Sequence, residues 1–199
     1  MYNVKIFNKI AQEGLDILEN KYFKLNYNEN DEDVILLRSE KLHEIKFSQS
    51  LLAIGRAGAG VNNIPVEQCT KNNIVVFNTP GANANAVKEL VLAGMLLGSR
   101  NIFKGMSYVN SLDPDSNNIS SEVEKNKSLF KGFEIKGKTL GVIGLGAIGV
   151  LIANDASSLG MNVIGYDPYI SVKNAWGLSK NVQQANNIKR LLEESDFIT

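Results

Sequence analysis

The stretch Lys138-Thr-Leu-Gly-Val-Ile-Gly-Leu-Gly-Ala-Ile-Gly149 constrains this chain more than any other, because an apolar run leads straight into three glycines spaced G-x-G-x-x-G. Leu140, Val142 and Ile143 suit a strand buried on both faces, and the three glycines then have separate tasks. Gly144 allows a tight turn, Gly146 leaves room for a pyrophosphate against bare backbone, and Gly149 lets the next helix lie close to the strand. Free N–H groups at the start of that helix, backed by its dipole, face an anion. The spacing alone often marks only a glycine-rich turn, so the context decides. A helix is predicted from Ala147 to Leu159, stopped by Gly160, and the apolar run Asn162-Val-Ile-Gly-Tyr166 after it ends on Asp167. An acidic residue about 20 positions beyond the glycines is where a dinucleotide-binding fold places the carboxylate that accepts hydrogen bonds from the adenosine ribose. Residues 138–199 therefore read as the N-terminal part of a Rossmann domain. Its expected coenzyme site is Gly144, Gly146, Ala147, Ile148, Gly149 and Asp167. The charge of Asp167, with no arginine immediately after it, favours NAD over NADP.

The bulk of the sequence narrows the class further. At 199 residues with 44% hydrophobic content the chain can form one large or two small domains with real cores. Its 21 basic and 21 acidic residues cancel, which removes the electrostatic case for nucleic acid or an anionic membrane as partner. The single cysteine, Cys69, excludes an internal disulfide and reads as a small packed residue. Met1-Tyr-Asn-Val-Lys5 lacks the apolar core of a signal peptide, and the longest apolar stretch, Leu90 to Gly98, is too short to cross a bilayer. A cytoplasmic protein is expected.

Upstream of residue 100, short apolar runs alternate with helical patterns, the signature of a parallel sheet with crossover helices. Strands are expected at Val4–Phe7, Phe23–Tyr27, Val34–Leu37, Leu51–Ile54 and Ile74–Phe77, with helices over Ala11–Leu18, Lys41–Phe47 and Pro65–Thr70. The third strand delivers Arg38-Ser39 at its C-terminal end, the edge at which open α/β sheets bind ligands. The fourth runs into Gly55-Arg-Ala-Gly-Ala-Gly-Val61, a turn that can expose several N–H groups as an anion nest or be a plain tight turn. His43, the only histidine, stands among Lys41, Glu44 and Lys46 and reads as a surface residue. The segment Ala86–Leu97 is so uniformly apolar that it must be covered on most sides, between domains or against another subunit. The turn-rich Ser111–Asn118 and the charged Glu122–Lys131 mark a junction. The expected organisation is a substrate lobe over 1–100, a hinge and helical arm over 101–137, and the dinucleotide domain over 138–199. A loop through Trp176 and a helix near Ile188 follow Asp167, and Asp196-Phe-Ile-Thr199 reads as a third strand just starting.

These residues together resemble the D-isomer-specific 2-hydroxyacid dehydrogenase family over nearly the whole chain. The resemblance rests on Arg38-Ser39 after a strand, Gly55-Arg-Ala-Gly-Ala-Gly-Val61, Asn78-Thr-Pro80 with Glu89-Leu90, the 137–149 stretch, Gly165-Tyr-Asp-Pro168 and Asp196–Thr199. It implies a flavodoxin-like substrate lobe, an inserted NAD domain and an active-site cleft between them. It further implies that the backbone of Gly58 and Ala59 holds the substrate carboxylate, that Arg38, Ser39 and Arg56 lie along a small phosphorylated hydroxy acid, and that Thr79 contacts the coenzyme. Asn62 departs from the family, where aspartate is common. The family's catalytic arginine, glutamate and histidine map onto no residue up to Thr199, so the chain is expected to be an N-terminal portion, inactive alone and part of a homo-oligomer, dimer or tetramer. With only two cofactor strands and the start of a third, the glycine-bearing strand is expected to form an open edge. Glycerate, lactate or formate dehydrogenases, and dinucleotide-sensing corepressors of the carboxyl-terminal-binding type, are the alternatives; the arginines favour a phosphorylated acid.

Overall fold

The structure, a computed structural model, describes residues 1–18, 22–26 and 31–199, which divide into two compact units, Met1–Asn83 and Ala84–Thr199. Tyr27, expected at the end of the second strand, lies outside the described residues.

In the first unit the apolar runs pair as anticipated. Strands β1 (Tyr2–Ile6), β2 (Phe23–Asn26), β3 (Val34–Leu37), β4 (Ala53–Arg56) and β5 (Val75–Asn78) form one wholly parallel sheet in the order β2-β1-β3-β4-β5. Helices α1 (Gln12–Leu18) and α2 (Val66–Lys71) belong to its crossovers. Val4, Ile6, Ile35, Leu37 and Ile54 are buried, as a sheet covered on both faces requires. Register then sets function: Leu37 lies opposite Arg56 and Arg56 opposite Asn78, so the C-terminal ends of β3, β4 and β5 finish level. Arg38, Arg56 and Thr79 are thereby delivered to one sheet edge.

Two expectations change here. Residues 41–47 are turn and coil, with no helix. Leu42 is fully buried and its N–H bonds to the Asn63 carbonyl, while the Asn63 side chain takes the Glu40 carbonyl; these long-range bonds hold the backbone in place of a helical ladder. The fourth strand also runs two residues later than expected, so Arg56 is its last residue and not part of the following turn.

The second unit opens with α3 (Ala84–Ser99), α4 (Ile102–Asn110), α5 (Ile119–Asn126) and a 3₁₀ turn over Lys127–Phe130. The sequence reading placed α3 in the first lobe; it packs against α6 (Ala147–Ser158), with Lys88 Nζ 2.8 Å from Asp155 Oδ2. Strands β6 (Thr139–Ile143), β7 (Asn162–Tyr166), β8 (Val182–Gln184) and β9 (Phe197–Ile198) form a parallel sheet in the order β8-β7-β6-β9, with α7 (Val172–Gly177) and α8 (Ile188–Glu194) between them. This is the 3-2-1-4 portion of a dinucleotide-binding sheet. Its core is Leu140, Val142, Ile152, Ala153, Ala156 and Val163, all buried.

The fold corrects the reading of 168–199. Three-residue β8, Val-Gln-Gln, exposes two of its side chains and so has no apolar signature, and the stretch through Trp176 holds a short helix. The closing fragment is therefore the fourth strand of this sheet. It pairs with β6 at Leu140–Phe197 and Gly141–Ile198, extended by Ile143 N–H to the Thr199 carbonyl at 2.9 Å. The expected open edge at the glycine-bearing strand is overturned: β6 lies between β7 and β9. No helix among the described residues is long and apolar enough to span a membrane.

Candidate functional site

The loop after β6 shows what each fingerprint glycine does. Gly144 has φ +92°, a region that L side chains avoid, and its N–H bonds to the Tyr166 carbonyl at 2.8 Å. Gly146 is the N-cap of α6 at an ordinary φ of −76°, and a Cβ built there meets nothing within 4 Å. Its bareness serves no packing within this chain; it keeps clear the space in front of the helix N-terminus. Gly149 is the reverse case, since a Cβ there would stand 2.0 Å from the Gly144 carbonyl oxygen. Only glycine lets α6 sit this close to the strand. The residues fit a dinucleotide pyrophosphate on these three counts.

Asp167 follows β7 and reaches this loop. Its Oδ2 accepts the Leu145 N–H at 2.8 Å and its Oδ1 accepts the Tyr169 N–H at 2.8 Å. Each carboxylate oxygen keeps a further lone pair for a ligand hydroxyl. Beside it lies a cavity of about 200 Å³ lined by apolar walls at Leu145, Ile170 and Leu178, by the polar residues Gln183 and Gln184, and by the anionic Asp167. Gly165 belongs to the same construction, because a Cβ there would meet Leu145 Cδ1 at 2.9 Å. Ala147 and Ile148 form the first turn of α6 and offer their N–H groups to the space before Gly146.

In the first unit the loop Gly55–Gly60 is held by side chains from distant segments. Arg56 Nε donates to the Arg38 carbonyl at 2.9 Å and Nη1 to the Gly60 carbonyl, so this guanidinium clamps the loop and retains its other N–H groups for a ligand. Gly58 N–H donates to Thr79 Oγ1 at 2.8 Å, Thr79 N–H returns to the Gly58 carbonyl at 3.0 Å, and Asn78 Nδ2 donates to the Ala59 carbonyl at 2.6 Å. The Ala59 N–H makes no hydrogen bond among the described residues. Arg38 is exposed, and its side chain makes no hydrogen bond or ion pair among those residues. A cavity of about 430 Å³ brings Arg38, Gly58 and Thr79 together. Ser39 turns its N–H toward Asn8.

The sequence reading missed the residues that organise this edge. Asn8, in the left-handed region at φ 64°, accepts the N–H groups of Arg38, Ser39 and Glu40 on its one Oδ1, at 3.3, 3.0 and 2.8 Å. Asn63 is buried and its Nδ2 donates to the Arg38 and Glu40 carbonyls at 3.1 and 2.6 Å. For Asn8, two residues past β1, the available signal is an asparagine just after a strand, since Asn tolerates the left-handed backbone and bonds to nearby main chain; Asn63, seven residues past β4, carries no such signal. Cys69 is fully buried among Ile35, Ile54 and Ile74, and burial pushes its thiol pKa up, away from reactive thiolate. His43 is exposed and borders an open groove with Pro65, Glu67 and Lys71, apart from the Arg38 cavity.

Comparison with known proteins gives the class. Residues 92–199 match the family model of the D-isomer specific 2-hydroxyacid dehydrogenase, NAD binding domain. The chain belongs to this family. It is 41% identical over 172 residues to the D-3-phosphoglycerate dehydrogenase of Methanocaldococcus jannaschii, covering 85% of this chain and 30% of that protein. To the D-3-phosphoglycerate dehydrogenase of Synechocystis sp. it is 36% identical over 214 residues, covering 100% of the chain and 36% of the relative. The NAD+-bound 3-phosphoglycerate dehydrogenase of Entamoeba histolytica superposes with a TM-score of 0.73 at 29% identity, covering 99% of this chain and 61% of that one. The chain thus spans about a third of the length of the curated relatives it matches. Its NAD-binding character is that of the matched domain.

Proposed function

We propose that this chain carries the substrate-anion and NAD-binding elements of an enzyme that oxidises 3-phospho-D-glycerate to 3-phosphohydroxypyruvate, the first step of L-serine biosynthesis. The observation that carries the reading is the level edge of the first sheet. There Arg38, Arg56 and Ala59 offer cationic and N–H donors at and past the ends of the adjacent strands β3 and β4, with Gly58 held by Thr79 from the end of β5, in a chain whose relatives bear the name D-3-phosphoglycerate dehydrogenase. Arg38 and the remaining N–H groups of Arg56 serve the phosphorylated acid, the Ala59 N–H a carboxylate oxygen, and the Ser39 loop carries Arg38. Thr79 orders the nest through Gly58, and a contact with the coenzyme is what the family resemblance implies for it.

NAD, when bound, supplies the hydride acceptor. This chain's part is to hold its pyrophosphate at Gly144–Gly149 through the N–H groups of Ala147 and Ile148, with Asp167 receiving the ribose hydroxyls. The proton acceptor is not among these 199 residues: His43 faces the α2 groove, and the family's histidine, glutamate and arginine correspond to other sequence. Exposed Leu90 and Leu97 on α3 and Phe103 and Met106 on α4 form the apolar surface through which the protein assembles as a homo-oligomer in the cytoplasm.

Calorimetric titration of the chain with 3-phosphoglycerate, D-glycerate and D-lactate tests the substrate. The phosphorylated acid should bind at least about tenfold more tightly, the value of one charge-assisted hydrogen bond. A preference for lactate refutes the reading. Turnover of 3-phosphoglycerate with NAD by the 199-residue chain, followed as NADH absorbance, would place the general base within it after all.

A further inference from the structure

Open parallel sheets take ligands in the crevice where strand order reverses. In the order β2-β1-β3-β4-β5 that crevice opens between the C-terminal ends of β1 and β3. Arg38 directly follows β3, and Lys9 lies three residues beyond β1. Both line the same cavity of about 430 Å³, with Ile10, Gly58 and Thr79. The two sides are fastened together, because Asn8, the residue before Lys9, holds the N–H groups of Arg38, Ser39 and Glu40.

Neither cation is compensated. Lys9 and Arg38 make no ion pair among the described residues, and Glu40, the acid closest to Arg38 in sequence, accepts from Asn8 Nδ2 at 3.2 Å. A chain of zero net charge thus presents, among the described residues, two cations without an ion-pair partner on one crevice. A carboxylate would neutralise one of them; a phosphoryl monoester, with a charge of about −1.5 to −2 at neutral pH, neutralises both. Arg56 is differently placed, since its guanidinium already clamps two backbone carbonyls.

We propose that Lys9 is a specificity-determining residue whose ammonium, together with Arg38, receives the phosphoryl group of the substrate. This rests on the phosphorylated-acid reading above and adds to it a residue outside every motif that carries the family resemblance. Because Lys9 is exposed, its replacement leaves the fold intact.

The test is an NMR titration of the ¹⁵N-labelled chain, following the Arg38 and Gly58 amides, with 3-phosphoglycerate and D-glycerate as ligands. Lys9→Gln should weaken 3-phosphoglycerate binding by about tenfold, as loss of a charge-assisted contact does, and change D-glycerate by less than about twofold. Lys9→Arg should restore binding to within about threefold, since it keeps the charge. Unchanged 3-phosphoglycerate affinity in Lys9→Gln, with the preference abolished in Arg38→Ala, overturns the assignment of Lys9 and leaves the parent reading standing. Equal weakening of both acids in Lys9→Gln also overturns it, as a general field effect. If the unmodified chain shows no preference for the phosphorylated acid, or binds neither, the parent reading falls and Lys9 with it.

Discussion

The two sheets solve one problem by different means. Each is wholly parallel, each puts its first strand inside the sheet, and each ties that strand to a neighbour through an aspartate. In the first, Asp33 Oδ2 accepts the Asn3 N–H at 2.8 Å and its own N–H returns to the Asn3 carbonyl at 2.9 Å; in the second, Asp196 makes the same pair of bonds with Thr139, both at 2.9 Å. Each also ends a strand in a glycine-rich loop that offers N–H groups to an anion. The loops differ in what shapes them. Gly144–Gly149 is set by local geometry: one positive φ, one bare helix start and one tight helix–strand contact. Gly55–Gly60 is set by Arg56, Asn78 and Thr79, and the neighbouring Arg38 loop by Asn8 and Asn63. A ligand loop can thus be written in a dozen consecutive residues or distributed over seventy.

If that contrast holds, substitutions within the second loop divide sharply. Gly149→Ala should have the largest effect, because its Cβ would stand 2.0 Å from a backbone oxygen and α6 must shift. A loss of about 1–3 kcal/mol, the usual cost of overpacking, is expected in urea unfolding, together with abolished NAD binding. Gly146→Ala should separate the two properties, costing less than about 1 kcal/mol in stability because its Cβ meets only open space. NAD affinity should nonetheless fall more than about tenfold, a shift of about 1.4 kcal/mol.

In the Arg38 loop beside the first glycine loop, the sensitive residue lies about 30 positions away in sequence. Asn8→Ala leaves three N–H groups without their acceptor and puts a Cβ residue without a bonding side chain at φ 64°. Thermal and urea unfolding should show a loss of about 1–3 kcal/mol, whereas Asn8→Asp keeps the acceptor but sets a second carboxylate against Glu40 in place of the Nδ2 donor, and should lose less than Asn8→Ala while remaining below the parent. An unchanged Asn8→Ala would show that this loop too is locally encoded.

This difference governs what could be read in advance. The β6-loop-α6 geometry was legible because its glycines, flanking apolar run and Asp167 fall within one crossover unit. Arg38, Arg56 and the glycine loop were legible as strand-end residues, but the stitches between them were not. Asn8 and Asn63 lie far apart in sequence, and their meeting depends on strand order, which period-two patterning does not determine. The helix expected over 41–47 failed for the same reason, since Leu42 is held by Asn63. Strand β8 escaped notice because a three-residue strand with two exposed glutamines carries no hydrophobic pattern. Missing it turned the fourth strand into a third and left β6 as an apparent edge.

The aspartate clamps give the smallest effect. The Thr139 N–H, followed by Lys138 at 3.5 Å, holds the Asp196 carboxyl below its ordinary value. A carboxyl lowered in the folded state contributes stability that is full above its unfolded pKa, about 3.9, and lost as pH falls through the lower folded value. Unfolding midpoints of the parent and Asp196→Asn should therefore differ slightly at pH 7 and converge as the pH falls through the lowered folded value. A gap that widens on acidification would show the sign to be wrong.

The central claim is that the loop after β6 is a coenzyme site whose selectivity comes from Asp167. Equilibrium binding of NAD and NADP to the parent chain and to Gly146→Ala tests it most directly. The account predicts NAD binding at least about tenfold tighter than NADP, as expected for a carboxylate facing a 2′-phosphate, and loss of that binding in a variant that still unfolds cooperatively. Tighter binding of NADP, or full NAD affinity in Gly146→Ala, would contradict it.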